Sequence, residues 1–130
     1  MKREENEWIY FIGKNVPSKK NAKTWTGYRL ISNKTVKEYE TLMDDVWKTN
    51  KSEWDLQYNN RKSNPVYVEF YFYRDSRRKY DFVNIVQEPA DLMQKYDYIP
   101  DDDTKNFIPV YVGEELTSKD KAGFKMRIRI

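Results

Sequence analysis

Apolar and polar residues alternate most regularly between Pro65 and Arg74, in the middle of the chain. Every second position in this segment is a Val or Phe, and the positions between them hold mostly Tyr. A period of two in residues that favour extended backbone predicts a strand. Because both sets are largely apolar or aromatic, we expect both faces of this strand to be at least partly covered.

Short apolar runs bounded by glycine, proline or polar residues predict further strands. These runs cover residues 8–12, 25–31, 107–112 and 124–130. In the last run, Lys125, Arg127 and Arg129 alternate with apolar residues. We interpret these three basic residues as the solvent-facing side of an edge strand. The polar stretch 51–64 predicts a connection without regular structure.

Two segments predict helices, the first over about 35–50. Thr35 and Glu38 form a capping box there, and the apolar stripe that follows at helical spacing is expected to face the core. Its members are Tyr39, Leu42, Met43 and Val46. The second helix follows Asn84, and because Pro89 lacks an N–H, we expect the regular helix to begin nearer 87 than 84. The pattern predicts a single α+β domain over 1–130, with a mixed sheet and two main helices.

The composition narrows the possible chemistry. The 130 residues contain no Cys and no His, which excludes disulfides, thiol nucleophiles and histidine bases. No apolar run approaches the length of a membrane span, and the first seven residues are charged rather than apolar. We therefore expect a soluble, cytoplasmic protein that acts without a membrane or a small-molecule cofactor.

The charges are unevenly distributed along the chain. Residues 1–80 carry 17 basic and 11 acidic groups, whereas residues 81–130 carry 7 basic and 10 acidic groups. Much of the acid in the second part lies at Asp97, Asp101, Asp102 and Asp103. The carboxylates of the run Asp101 to Asp103 would be stabilised by a hard divalent cation such as Mg²⁺. The alternative interpretation is an ordinary solvated turn.

The segment from Tyr73 to Asp103 resembles the RusA family of phage and prophage Holliday junction resolvases. The resemblance covers about residues 15–110 and depends on the order and spacing of several motifs. These are a basic PSKKN segment (Pro17 to Asn21), a strand ending in Tyr73-Arg74, Asp81 with Asn84, Asp91 in the next helix, and Asp101-Asp102 shortly after Ile99. The resemblance implies a homodimeric endonuclease that uses Mg²⁺, or Mn²⁺ as a substitute, to nick four-way DNA junctions in bacteria or phage-infected hosts.

The resemblance also implies roles for individual residues. Asp81 matches the first metal-binding catalytic aspartate, and Asp101 or Asp102 matches the late one. Val83 stands where the family has a second aspartate, and Gln87 stands where it has a lysine, whose charge Lys79 or Arg78 would replace. Asn84, Gln87 and Asp91 would support the site. In place of the missing second aspartate, Asp91, Asp103, Glu88 or Asp97 would complete the metal shell. We expect the strand, the helix and the loop after it to bring Asp81 close to the acidic turn.

DNA contacts are expected in two basic segments, because each Lys or Arg that neutralises a phosphate favours binding. These contacts are Lys14, Lys19, Lys20 and Lys23 in the first segment, and Arg77, Arg78 and Lys79 in the second. Trp25, Tyr28 and Trp54 would either stack on bases or pack in the core. Two rival functions remain open: a junction-binding protein without catalysis, and a small protein whose acidic turn contacts another protein.

Overall fold

The computed structural model describes residues 5–18, 23–25, 30–32, 34–77 and 81–130. Its strands are β1 (Ile9–Ile12), β2 (Lys23–Trp25), β3 (Leu30–Ser32), β4 (Val66–Arg74), β5 (Phe107–Leu116) and β6 (Gly123–Ile128). Its α-helices are α1 (Lys34–Thr49), α2 (Lys51–Asn59) and α3 (Phe82–Lys95), and a 3₁₀ turn covers Lys119–Lys121. None of the helices in these ranges is both long and apolar enough to cross a membrane.

Four strands form the main sheet in the order β1-β6-β4-β5. β4 and β5 run parallel, whereas β6 pairs antiparallel with both β1 and β4. The predicted α+β class and mixed sheet are therefore confirmed. β2 and β3 form a separate antiparallel pair.

All three helices contribute to one aromatic core on one face of this sheet. Phe11 of β1 lies with its ring centroid 4.4 Å from that of Trp47 in α1. Trp54 of α2 is fully buried and donates a 2.8 Å hydrogen bond from Nε1 to the carbonyl of Tyr98. Phe82 of α3 packs against Phe72 of β4, with their ring centroids 6.0 Å apart. The core interpretation of Trp54 is confirmed.

Several local predictions are wrong. Residues 51–59 form a helix, because Trp54 anchors this polar segment in the core and Lys51 pairs with Asp55 one turn later at 2.6 Å. The core stripe of α1 includes Val36 and Trp47, whereas Leu42 is 56% exposed.

α3 begins earlier than predicted. Asp81 is its N-cap residue, and Asn84 lies inside the helix. Pro89 is buried in the helix interior, where it removes one backbone hydrogen bond. We infer that burial of Ile85, Leu92 and Met93 outweighs that loss.

The prediction of one strand over 25–31 is also wrong, because this range contains the end of β2 and the beginning of β3. β6 is wrongly predicted as an edge strand, since it lies between β1 and β4.

The direction of the strands gives the sheet two distinct ends. At the upper end, β1, β4 and β5 finish and β6 begins; at the lower end, β4 and β5 begin. Asp81 follows β4 and the acidic turn precedes β5, so the parallel pairing puts them at opposite ends of the sheet.

Candidate nucleic-acid and metal site

The described parts of the two predicted basic segments, around Lys14 and Arg77, meet at the upper end of the sheet. Asn15 donates a short hydrogen bond from its amide Nδ2 to the Asp75 carboxylate, and its Oδ1 accepts the Asp75 backbone N–H at 3.0 Å. This reciprocal contact holds Lys14 next to the segment that leads from β4 to Arg77. Lys14 is partly exposed and Arg77 is exposed.

A third basic segment, which the sequence analysis missed, reaches the same end. The connection between β5 and β6 is held there by two backbone hydrogen bonds, from Thr117 N–H to Arg74 at 2.7 Å and from Gly13 N–H to Ala122 at 2.8 Å. Lys119 and Lys121 are exposed on this connection. No local motif marks these two lysines, because only the pairing of β6 with β1 and β4 brings them to Lys14 and Arg77.

Several predicted contacts lie outside the described residues. These are Lys19, Lys20, Arg78 and Lys79, together with Tyr28. The backbone of Lys23 and Trp25 lies in β2, but their side chains are outside the described part.

Asp81 lies exposed at this basic end, at the N-cap position of α3. Its backbone carbonyl accepts the N–H of Asn84 at 3.0 Å, and its Oδ2 accepts a 3.3 Å hydrogen bond from the Asn84 side chain. The predicted pair of Asp81 and Asn84 is thus a local unit in which the amide orients the carboxylate. The N-terminus of α3 also favours negative charge there, including that of a phosphate.

The acidic turn lies at the lower end, and its aspartates differ in their contacts. Asp103 is a turn residue, since its Oδ1 accepts the backbone N–H of Lys105 at 3.2 Å and the side-chain amide of Asn106 at 2.8 Å. The pKa of Asp102 is raised, first by partial burial and then by a hydrogen bond with Asp101 and the negative charges of Asp101 and Asp91. Asp91 in the C-terminal half of α3 and Asp101 and Asp102 in the turn after this helix therefore form an acidic cluster.

The expected convergence of Asp81 with the acidic turn in one chain is wrong. Asp81 and Asp91 are ten residues apart on α3, which corresponds to about 15 Å along the helix axis. Within the residues that the structure describes, no three carboxylates lie close enough together to hold a metal ion. The physical reason is the parallel return from β4 to β5, which separates the residue after the first strand from the loop before the second.

The other positions on α3 that the resemblance draws attention to have different surroundings. Val83 is 71% exposed, and Gln87 is exposed one turn further along α3, in line with Asp91. Glu88, the next residue along the helix, is fully buried, where its charge adds to the effect of burial in raising the pKa of Tyr39. Glu88 thus belongs to the core and not to the exposed carboxylates.

Comparison of the chain with models of protein families and with curated proteins finds no match of either kind. The case for a function therefore depends on the geometry of the chain itself and on the resemblance of its motifs.

Replacing Asp102 by Asn is expected to stabilise the fold at pH 7, because it removes the repulsion from Asp101 and Asp91. The gain is roughly a few tenths of a kcal/mol, since solvent screens this exposed cluster. A raised carboxyl pKa in the folded state means that folding is favoured by protonation, so this residue's contribution to stability falls as pH rises through the folded pKa. Urea unfolding of both proteins at pH 4 and pH 7 should show a larger gain at pH 7 than at pH 4. Asp103→Asn, which alters a turn acceptor, should give no such gain; a less stable Asp102→Asn at pH 7 would contradict the cluster.

Proposed function

We propose that the protein is a metal-dependent, structure-selective endonuclease of the RusA type that acts on four-way DNA junctions. The observation that carries this proposal is the meeting of three basic segments, around Lys14, Arg77 and Lys119, at the end of the sheet where Asp81 lies exposed. Cations around a carboxylate suit a phosphodiester that must be bound beside a metal ligand. Branched DNA is proposed as the substrate because the motifs resemble those of the RusA family.

The carboxylates in the described part of the chain are the type of ligand that Mg²⁺ prefers, but within one chain they do not lie close enough together to bind one ion. Mg²⁺ prefers oxygen ligands and accepts one or two carboxylates with several waters. Because Asp81 and the acidic cluster lie at different levels of α3, we propose that each site takes Asp81 from one protomer and Asp101 and Asp102 from its partner. When bound, the metal supplies charge neutralisation and activation of water.

A two-fold axis near Gln87 would create such shared sites. Two α3 helices packed antiparallel about this axis bring the N-terminus of each next to the acidic cluster of the other. The exposed face of α3 carries Val83, Gln87 and Asp91 at four-residue spacing, so it offers an apolar contact and an amide that can pair with its own copy. A C2 dimer also matches the two-fold symmetry of a four-way junction.

The defining experiment is cutting of a synthetic four-way junction by the purified protein in Mg²⁺ or Mn²⁺, with a duplex of matched sequence as control. Paired nicks in the junction, absent in EDTA, would support the proposal. A protein that binds the junction but cuts it with neither metal is not an endonuclease. A protein that binds no DNA at low salt would exclude both DNA-directed functions.

The basic end is expected to make junction binding depend on salt. Replacing Lys119 and Lys121 together by Ala should weaken binding and reduce the slope of log affinity against log salt by roughly one per lost phosphate contact. Gel shifts at four salt concentrations measure this slope. Lys62→Ala, which removes an exposed lysine from the connection at the lower end, is the matched control and should leave the slope unchanged. An equal effect of both variants would contradict a localised surface.

A junction-binding protein without catalysis is the second candidate, and Val83 favours it. This side chain is 71% exposed beside Asp81, where the family pattern has an aspartate. An apolar residue there can contact a partner but cannot bind a metal. Binding without metal-dependent cutting is the result that distinguishes this function from the first.

A further inference from the structure

The sheet face opposite the helices carries an aromatic cluster around one lysine. Lys125 of β6 is paired in register with Tyr10 of β1 on one side and Tyr71 of β4 on the other. Its Nζ lies 4.9 Å from the ring centroids of both Trp8 and Tyr71, 5.5 Å from Tyr73 and 5.6 Å from Tyr10. We call Trp8, Tyr10, Tyr71, Tyr73 and Lys125 the aromatic platform.

The platform is accessible and built into the sheet. Tyr10 is 52% exposed, and the other four members are partly exposed. The ring of Tyr71 lies over Gly113 of β5, since a Cβ at that glycine would come within 3.0 Å of the ring. Paired strands thus hold the rings of Tyr10, Tyr71 and Tyr73, so these rings would lose little conformational freedom when a ligand stacks on them.

Charge limits where a ligand can lie on this face. Towards the lower end, Arg127 is paired with Glu69 at 2.9 Å and with Glu5 at 3.3 Å, and Arg129 lies 3.5 Å from Glu69. Two cations therefore balance two carboxylates there. On β5, Glu115 accepts a 3.2 Å hydrogen bond from Tyr71 and forms an acidic border. The cation Lys125 lies between these regions, on the part of the face that leads past Tyr73 to the basic upper end.

We propose that the aromatic platform binds an unpaired nucleic-acid strand, with bases stacked on Tyr71 and Tyr73 and a phosphate next to Lys125. Stacking on exposed aromatic rings beside cations is the general mode of single-strand binding, and bases inside a duplex are not available to it. The inference rests on the proposed function for its ligand class, because a four-way junction offers unpaired nucleotides at its centre when it is distorted.

A second copy of the chain is the main rival occupant of this face. The shared metal sites proposed above need contact through α3, which lies on the opposite face of the sheet. The platform would then point outward from such a dimer, next to the basic end that is proposed to meet DNA. Continuity with that basic end therefore favours nucleic acid over a second copy.

The test is fluorescence anisotropy with a labelled twelve-nucleotide oligo-dT, in EDTA so that no cutting occurs. We expect the wild-type protein to bind this strand more tightly than a duplex of equal length. The double variant Tyr71→Leu/Tyr73→Leu should bind it roughly a hundredfold more weakly, from about tenfold for each lost stacking contact. Tyr67→Leu is the matched control and should change affinity less than about twofold. Tyr67 is 44% exposed and lies on the same face of β4, about 13 Å from Tyr71 and about 20 Å from Tyr73.

Cross-linking keeps the test independent of variant folding. Oligo-dT containing 5-iodouracil is irradiated with the wild-type protein, and the adducts are mapped by mass spectrometry. Adducts on Tyr71, Tyr73 or Trp8 support the platform, and adducts only on residues outside it overturn the proposal. Unchanged affinity of a folded double variant overturns it as well. So does a double variant that is monomeric in light scattering when the wild type is dimeric, because the platform would then be an interface between copies.

The same measurements separate this proposal from the nuclease. Oligo-dT binding in EDTA without junction cutting in either Mg²⁺ or Mn²⁺ would overturn the endonuclease and support the platform. Junction cutting by a protein that does not bind oligo-dT would overturn the platform alone.

Discussion

A protein with Asp81→Asn is expected to cut a four-way junction at least roughly a hundredfold more slowly than the wild type in Mg²⁺. The substitution keeps the size of the side chain and an oxygen that can accept the 3.3 Å hydrogen bond from Asn84, but it removes the negative charge. Initial rates of nicking at saturating protein measure the effect. Asp120→Asn, an exposed aspartate at the same end of the sheet, is the control and should cut normally.

Mixing two inactive variants tests whether the sites are shared between protomers. Asp81→Asn and the double variant Asp101→Asn/Asp102→Asn are each expected to be inactive alone. In a mixed dimer with shared sites, one site carries every substitution and the other carries none, so cutting of one strand should return. If each site belonged to a single chain, both sites of the mixed dimer would be damaged and the mixture would stay inactive, which would exclude the shared arrangement.

Replacing Gly123 by Ala is expected to lower the free energy of unfolding by about 3 kcal/mol or more. Gly123 has a φ of 147°, which is strained for any residue with a side chain. A Cβ at this position would lie 2.2 Å from the carbonyl oxygen of Phe11 and 2.9 Å from the Cα of Ile12. Both neighbours are backbone atoms of a paired strand, so relief of the contact requires β1 and β6 to separate.

Urea unfolding followed by circular dichroism measures this loss, and Gly13→Ala is the matched control. A Cβ at Gly13 would meet only the Sδ of Met43 at 3.0 Å. Because that atom is near the end of a flexible side chain, we expect a cost below about 1 kcal/mol. Similar costs for the two variants would show that the backbone contact at Gly123 is not what limits substitution.

The strand and helix patterns were predicted well where one face is consistently apolar. The alternation in Val66–Arg74 predicted β4, and the spacing of Tyr39 and Met43 predicted most of α1. α2 was missed because its burial depends largely on Trp54, whose contact with Tyr98 lies 44 residues away in sequence. Tertiary contact of one large side chain there outweighs a polar local pattern.

The candidate site could be predicted only in part, because its assembly depends on strand direction. The motif around Asp81 and the acidic turn were both visible in the sequence, but the parallel pairing of β4 with β5 was not. An antiparallel return would have brought them together, whereas the parallel one separates them by most of the length of α3. The same limit explains why Lys119 and Lys121 were missed.

The central place of β6 in the sheet has a consequence for synthesis of the chain on the ribosome. β1 is made first, yet in the part of the chain that the structure describes it pairs only with β6, whose residues follow more than 110 positions later. The nascent chain must therefore carry β1 without its sheet partner until Gly123–Ile128 has emerged. Pairings between such distant segments raise the contact order, so we expect the main sheet to close late and slowly.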